Sequence, residues 1–175
     1  MSDFNIAIET VLRHEGGFVD NVNDPGGATN FGVSARWLQS KGLLEALEEG
    51  DKTQDEVKAI RDMTKAQAMG FFKAYWWDFY KYQNFNAQSV ATKVFDSAVN
   101  MGASRAHKIL QGLLGLPQDG VLGPKSFAEA NATSPSVLVV KFQQAQADFY
   151  RGLVTTNPSL SVFLGGWIAR AYDRN

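Results

Sequence analysis

The 175-residue chain contains no cysteine. That excludes disulfide bridges, cysteine nucleophiles and thiolate metal sites in one step. It has only two histidines, His14 and His107. A zinc hydrolase assembles several His, Cys and carboxylate ligands, so neither a metal nor zinc chemistry is expected. No G-x-S-x-G elbow occurs, which removes the main sequence sign of a serine hydrolase. No run approaches the roughly 18 apolar residues of a membrane-spanning helix, so no stable membrane insertion is expected. The N-terminus, "MSDFNIAIETVLRHE", lacks the basic and apolar regions of a secretory leader.

Strong net charge is also missing. The formal balance is −1, but residues 1–80 carry 8 Lys/Arg against 13 Asp/Glu, and residues 81–175 carry 9 against 5. The basic half suits a polyanionic partner such as a cell-wall polymer, although an ordinary solvated surface explains it more simply. Nothing forms a nucleic-acid-binding stripe.

What is present is a globular composition, 45% hydrophobic and 12% aromatic, long enough for one sizeable core. The pattern is mostly helical. Ser2 or Asp3 can cap a first helix in which Phe4, Ile8, Val11 and Leu12 recur at helical spacing, with Gly16 and Gly17 ending it. Residues 18–33, with the turn cluster "NDPGG" between "FV" and "NFGV", predict a small β-hairpin or ordered loop. Ser34 caps "ARWLQSKG"; "TQDE" at 53–56 and "TKAQ" at 64–67 have capping-box form, the second opening a long helix through "AMGFFKAYWWDFYKY". Further helices are expected at "SVATKVFDSAVNMG", "SRAHKILQGLLG", from Pro124 to Ala130, over 136–154, and at "LSVFLGGWIARAYD". With no long linker and no repeat, residues 1–175 read as a single domain, about 1–100 holding the reactive part and 101–175 a C-terminal helical part.

The stretch "RHEGGFVDNVNDPGGATNFGV" carries the chemistry. Glu15 falls at the end of the first helix, where the negative pole of the helix dipole disfavours an ionised carboxylate. Apolar neighbours such as Phe18 and Phe31 push the same way, toward the protonated acid that glycosidic cleavage requires. Asp24 lies nine residues on and Thr29 five beyond that. A turn through Pro25-Gly26-Gly27 can fold both back toward Glu15, to hold a water for attack on an anomeric carbon. Taken singly, each residue has a plainer reading: a solvated Glu, a turn Asp, a structural Thr. A calcium loop fails, because Val22 stands at its third position and Pro25 where its glycine belongs.

"HEGGFVDNVNDPGGATNFGVS" closely resembles the E-G-G-[YF]…D-x-G-G-x-T-x-[YWF]-G-[IV] motif of glycoside hydrolase family 108, the phage endolysins and secretion-associated muramidases. Further resemblance follows in "AYWW", "FDSAVNMGASRA", "DGVLGPKSF" and "GWIARA", spanning about 15–171. The resemblance implies a mainly α, lysozyme-like α+β fold with a small β-hairpin beside the catalytic helix. It implies cleavage of the β-1,4 bond between N-acetylmuramic acid and N-acetylglucosamine in bacterial peptidoglycan, with Glu15 as the acid and no cofactor. The order Glu, Asp, Thr also resembles the phage-type lysozyme triad, which assigns Asp24 and Thr29 to the water; that role implies inversion of configuration. A monomer made in the host cytoplasm, reaching the wall through a holin or another release pathway, is the matching expectation.

Around this centre stand weaker candidates. In "FFKAYWWDFYKY" the spacing puts Phe72, Tyr75, Trp76 and Phe79 on one face, read as core, while Trp77 and Tyr80 point elsewhere. Tyr75 and Trp77 of "AYWW" are the candidate substrate-binding aromatics, with core packing the plainer alternative. Asp96 and Asn100, one turn apart, either hydrogen-bond substrate or, the plainer reading, brace the catalytic loop. "QDGVLGPKSF" resembles a peptidoglycan-binding signature, although its Gly and Pro need no more than a tight turn into a helix. The alternative to an enzyme is a non-catalytic wall-binding or secretion-helper protein on the same fold, which would have no reason to keep the acid.

Overall fold

The computed structural model describes residues 1–20, 27–44 and 56–173. Asp24 and residues 53–55 of the "TQDE" capping box therefore lie outside the described residues. Contacts divide the chain into two compact units, one of residues 12–73 and one of residues 1–11 with 74–175. The described part is mainly helical, with one two-stranded antiparallel sheet.

Helix α1 (Phe4–Glu15) begins in the second unit and ends in the first. Asp3 caps it, its Oδ1 accepting the Asn5 N–H at 2.7 Å, while Ser2 is used differently, donating to the Phe85 carbonyl. In the 12–73 unit, strands β1 (Thr29–Asn30) and β2 (Val33–Ser34) lead into α2 (Ala35–Lys41), followed by α3 (Glu56–Asp62) and α4 (Lys65–Phe72). Ser34 caps α2 by accepting the Trp37 N–H at 3.2 Å, and Gly42 closes it at φ +65°. Thr64 and Gln67 form the expected capping box of α4.

Beyond Phe72 the winding changes. Residues Lys73–Asp78 form a π-helix, whose hydrogen bonds span five residues where those of an α-helix span four, so each turn takes up more chain. The expected aromatic face is shifted accordingly. Trp77, five positions after buried Phe72, is 3% exposed, whereas Phe79, placed in the core by α-helical spacing, is 68% exposed.

The larger unit is built on α5 (Gln88–Met101), buried from Val90 to Ala98. Helices α6 (Ala103–Leu113) and α8 (Pro135–Thr156) pack on α5 and on each other, α7 (Pro124–Ala132) packs on α8, and α9 (Ser161–Tyr172) lies along α8. Phe4, Trp77, Tyr82 and Phe95 form an aromatic cluster with ring centroids 5.5–6.2 Å apart.

Two polar groups of α5 fasten the end of α9. Lys93 Nζ donates to the carbonyls of Ala171 at 2.7 Å and Arg170 at 3.2 Å, acceptors that a helix C-terminus leaves without intrahelical partners. One turn on, Asp96 accepts the Arg170 fork, Nη2 to Oδ1 at 2.8 Å and Nε to Oδ2 at 3.3 Å. Burial pulls the Lys93 ammonium down to about 8, with the Asp96 charge opposing.

The other buried titratable pair is His107 and Tyr82. Gly120 offers only a carbonyl at 2.9 Å from His107 Nδ1, so Nδ1 carries the proton. Nε2 then accepts from the Tyr82 hydroxyl at 2.7 Å. Burial holds His107 below its ordinary value and Tyr82 well above its own.

Two outcomes follow from these groups. Asp96→Ala leaves the Arg170 and Lys93 cations without their carboxylate and should cost about 3–5 kcal/mol, read as a lower denaturant midpoint at constant slope. For His107 the unfolded chain takes up a proton below pH 6.5 and the folded chain resists it, so stability should fall as pH drops through that value. His107→Gln keeps a donor and an acceptor without titrating. Denaturation between pH 7 and pH 5 should show a shallower loss in this variant.

Candidate functional site

Glu15 is the last residue of α1, followed by Gly16 at φ +73°. The chain then runs through Phe18, whose ring lies 5.0 Å under the Arg61 guanidinium, to Val19. Val19 pairs with Thr29 through two backbone bonds of 2.8 Å, so the expected hairpin around the turn cluster exists at its described ends. Thr29 is thus shared: it faces Val19 on one side and Ser34 on the other.

The second hairpin was not expected from the sequence. Asn30 pairs with Val33 across a two-residue turn of Phe31 (φ +49°) and Gly32 (φ +78°), the double positive φ of a type I′ connection. Glycine takes this readily, but a phenylalanine there is strained. Gly32 has a further reason to be glycine. A Cβ on it would stand 2.6 Å from both Cγ and Oε2 of Glu15. The hairpin turn therefore lies directly against the Glu15 side chain and confines it.

Asn30 anchors this turn. Its buried amide nitrogen reaches the carbonyls of Ile60 at 3.0 Å and Arg61 at 3.2 Å, at the end of α3. Ser34, at the other end of the hairpin, is also the α2 cap. The roles of Asn30 and Gly32 were not expected from the sequence; the signal available was the Asn-x-Gly spacing in "TNFGV", overshadowed by the stronger "NDPGG".

The structure brings the hairpin that begins at Thr29 against Glu15. Thr29 Oγ1 makes a long contact of 3.4 Å to the Gly27 carbonyl. Tyr75 is half-buried on the π-helix. Two other candidates are buried. Trp77 packs edge-on against Phe4, Phe95 and Tyr82 and is buried too deeply to line a groove, because the π-turn rotates it inward. Asp96 is fully buried in its ion pair with Arg170, so it braces α9 and not the catalytic loop. Asn100, half-buried, accepts a hydrogen bond from the Tyr150 hydroxyl.

The "QDGVLGP" segment is held by α6. Gln111 donates to Asp119 Oδ1 at 2.6 Å and to the Val121 carbonyl at 3.0 Å, and accepts the Gly120 N–H at 2.8 Å. Gly120 sits at φ +80°, where a Cβ would be 2.6 Å from Ser104 Oγ. Among the described residues no cluster of three or more His, Cys, Asp or Glu is arranged to hold a metal. No described helix is long and apolar enough to cross a membrane.

Comparison with known proteins supplies the context. The family model described as Glycosyl hydrolase 108 matches residues 8–102, and the one described as "Predicted Peptidoglycan domain" matches residues 105–172. The solved structure of Brucella abortus SagA is similar at 28% identity and a TM-score of 0.74, over 96% of this chain and 88% of that one. No curated protein matches.

The confinement of Glu15 is testable by two alanines. Gly27→Ala places a side chain at φ +72° with only an ordinary 3.8 Å contact to Ala35, and should cost about 1–2 kcal/mol. Gly32→Ala adds the overlap with Glu15 and should cost about 1–3 kcal/mol beyond that, measured as the difference between the two denaturation midpoints.

Proposed function

Since the chain belongs to the glycosyl hydrolase 108 family and is a mainly α, lysozyme-like, peptidoglycan-acting glycosidase, we propose that it is an N-acetylmuramidase with Glu15 as its general acid. The observation that carries this reading is the packing of the Gly32 backbone against the Glu15 side chain. An acid catalyst must be held in register with the glycosidic oxygen, and a backbone contact is stiffer than one made by a side chain. Glu15 donates its proton to the leaving oxygen as the bond to the anomeric carbon breaks. A water attacks that carbon from the opposite face, positioned by Asp24 and Thr29, and its proton passes to Asp24. The anomeric configuration is inverted in this scheme.

Phe31 supports the same reading. Backbone strain in a bulky residue is retained where surrounding structure over-determines it, and functional turns are where it concentrates. A binding protein without hydrolysis has no need of a strained turn pressed against a carboxylate.

The test is chemical. Purified peptidoglycan digested by the protein should yield fragments with N-acetylmuramic acid at the new reducing end, identified by mass spectrometry. Glu15→Gln should lower the rate by about 10²–10⁴-fold with an unchanged denaturation midpoint. N-acetylglucosamine at the reducing end, or undiminished hydrolysis by the variant, would overturn the assignment.

A further inference from the structure

The hairpin turn against Glu15 carries a residue that its own geometry disfavours. A two-residue type I′ connection needs positive φ at both positions, and Asn-Gly is its favoured pair because asparagine tolerates the left-handed backbone. Gly32 meets that demand at φ +78°, but position 31 holds a phenylalanine at φ +49°. Turn chemistry alone would put Asn or Gly there. The ring must be retained for another reason.

Stacking within the fold does not supply that reason. Phe31 is only half-buried, and among the described residues no other aromatic ring and no cation packs on it. Other rings of the same unit are used in that way: Phe18 lies under the Arg61 guanidinium at 5.0 Å, and Trp37 meets Phe71 edge-on with centroids 6.1 Å apart. The core side of the hairpin is supplied by Ala28, Asn30 and Val33, all buried.

The place of the ring does supply a reason. Gly32 lies so close to Glu15 that a Cβ there would stand 2.6 Å from Oε2. Successive Cα atoms are ~3.8 Å apart, so the Phe31 Cα stands within about 8 Å of the Glu15 carboxyl. Asn30, the residue before it, is fixed to the carbonyls of Ile60 at 3.0 Å and Arg61 at 3.2 Å. The ring is therefore carried on a braced turn beside the acid.

We propose that Phe31 is a sugar platform of the reactive site, on which the N-acetylhexosamine next to the scissile bond rests one pyranose face. The axial C–H groups of that face are apolar and weakly positive, and they meet the negative face of the aromatic ring. A stacked sugar is held in one plane relative to the acid, which is what near-attack positioning requires. Asparagine would ease the backbone but offers no such face, so the strain is kept. This inference rests on the reading of Glu15 as the acid and deepens it by naming the part of the substrate that Phe31 takes.

Phe31→Asn removes the face and gives the turn its favoured pair, so binding and stability should part company. The probe is a peptide-free tetrasaccharide of alternating N-acetylglucosamine and N-acetylmuramic acid, titrated into the protein carrying Glu15→Gln. Adding Phe31→Asn should weaken binding by at least about tenfold, while its denaturation midpoint stays at or above that of the wild type. Phe31→Tyr, which keeps the face, should hold the affinity within about twofold. Nuclear Overhauser contacts should join the Phe31 ring protons to those of the bound sugar. Undiminished affinity in Phe31→Asn, absence of those contacts, or a lower midpoint, which would make the ring a packing group, would each overturn the proposal. So would an acid limb of the pH–rate profile that moves in Phe31→Asn while affinity holds, since the ring would then only shield Glu15 from water. Hydrolysis that survives Glu15→Gln strikes the acid assignment alone, because both proteins in the binding comparison share residue 15.

Discussion

The 12–73 unit is organised by one demand, that a stretch of bare backbone lie flat against the Glu15 side chain. A residue with a Cβ at position 32 would force the Glu15 side chain to move, since a methyl group there would sit 2.6 Å from its Cγ and Oε2. Gly32 falls in a two-residue turn requiring positive φ at both positions, so Phe31 takes φ +49°. A strained turn persists only if its flanks are fixed. Here they are, by the Asn30 amide on the α3 carbonyls and by Ser34 as the cap of α2. Hairpin, helix cap and helix end are thus linked in a chain that finishes at one carboxylate.

The larger unit solves a different problem with charge. A final helix joined to α8 by a short 3-10 turn, Pro158–Leu160, has its last carbonyls and Arg170 to satisfy. Lys93 and Asp96, one turn apart on the most buried helix, satisfy both. An apolar pair of similar volume would pack α9 with less desolvation cost, but would not fix its register. The two ionic groups specify which turn of α9 lies over which turn of α5.

Much of this was legible beforehand, for local reasons. Asp3, Ser34, Thr64 and Pro124 announced helix starts because capping chemistry needs only the next few residues, and each helix begins there. Glu15 was legible for the same reason, as the residue before two glycines. What stayed hidden depended on winding or on distant partners. The π-turn at 73–78 shifted the aromatic face, so Trp77 went inside and Phe79 outside. Asp96 looked available for substrate because its partner lies 74 residues on. Gly32 looked like one more turn glycine because its reason is Glu15, seventeen positions earlier.

The two matched family regions do not coincide with the compact units, and the physics says why. The first match ends at residue 102 and the second begins at 105, on either side of the turn between α5 and α6. In the fold that turn divides nothing. Helices α6 and α8 of the second region bury their apolar faces on α5 of the first, and α9 is fastened by Lys93 and Asp96 of α5. The tie from Asn131 back to Asn84 and Asn86 crosses the same sequence border. Residues 105–172 thus borrow their centre from the preceding region, so the packing of that region and the integrity of α5 are one physical property.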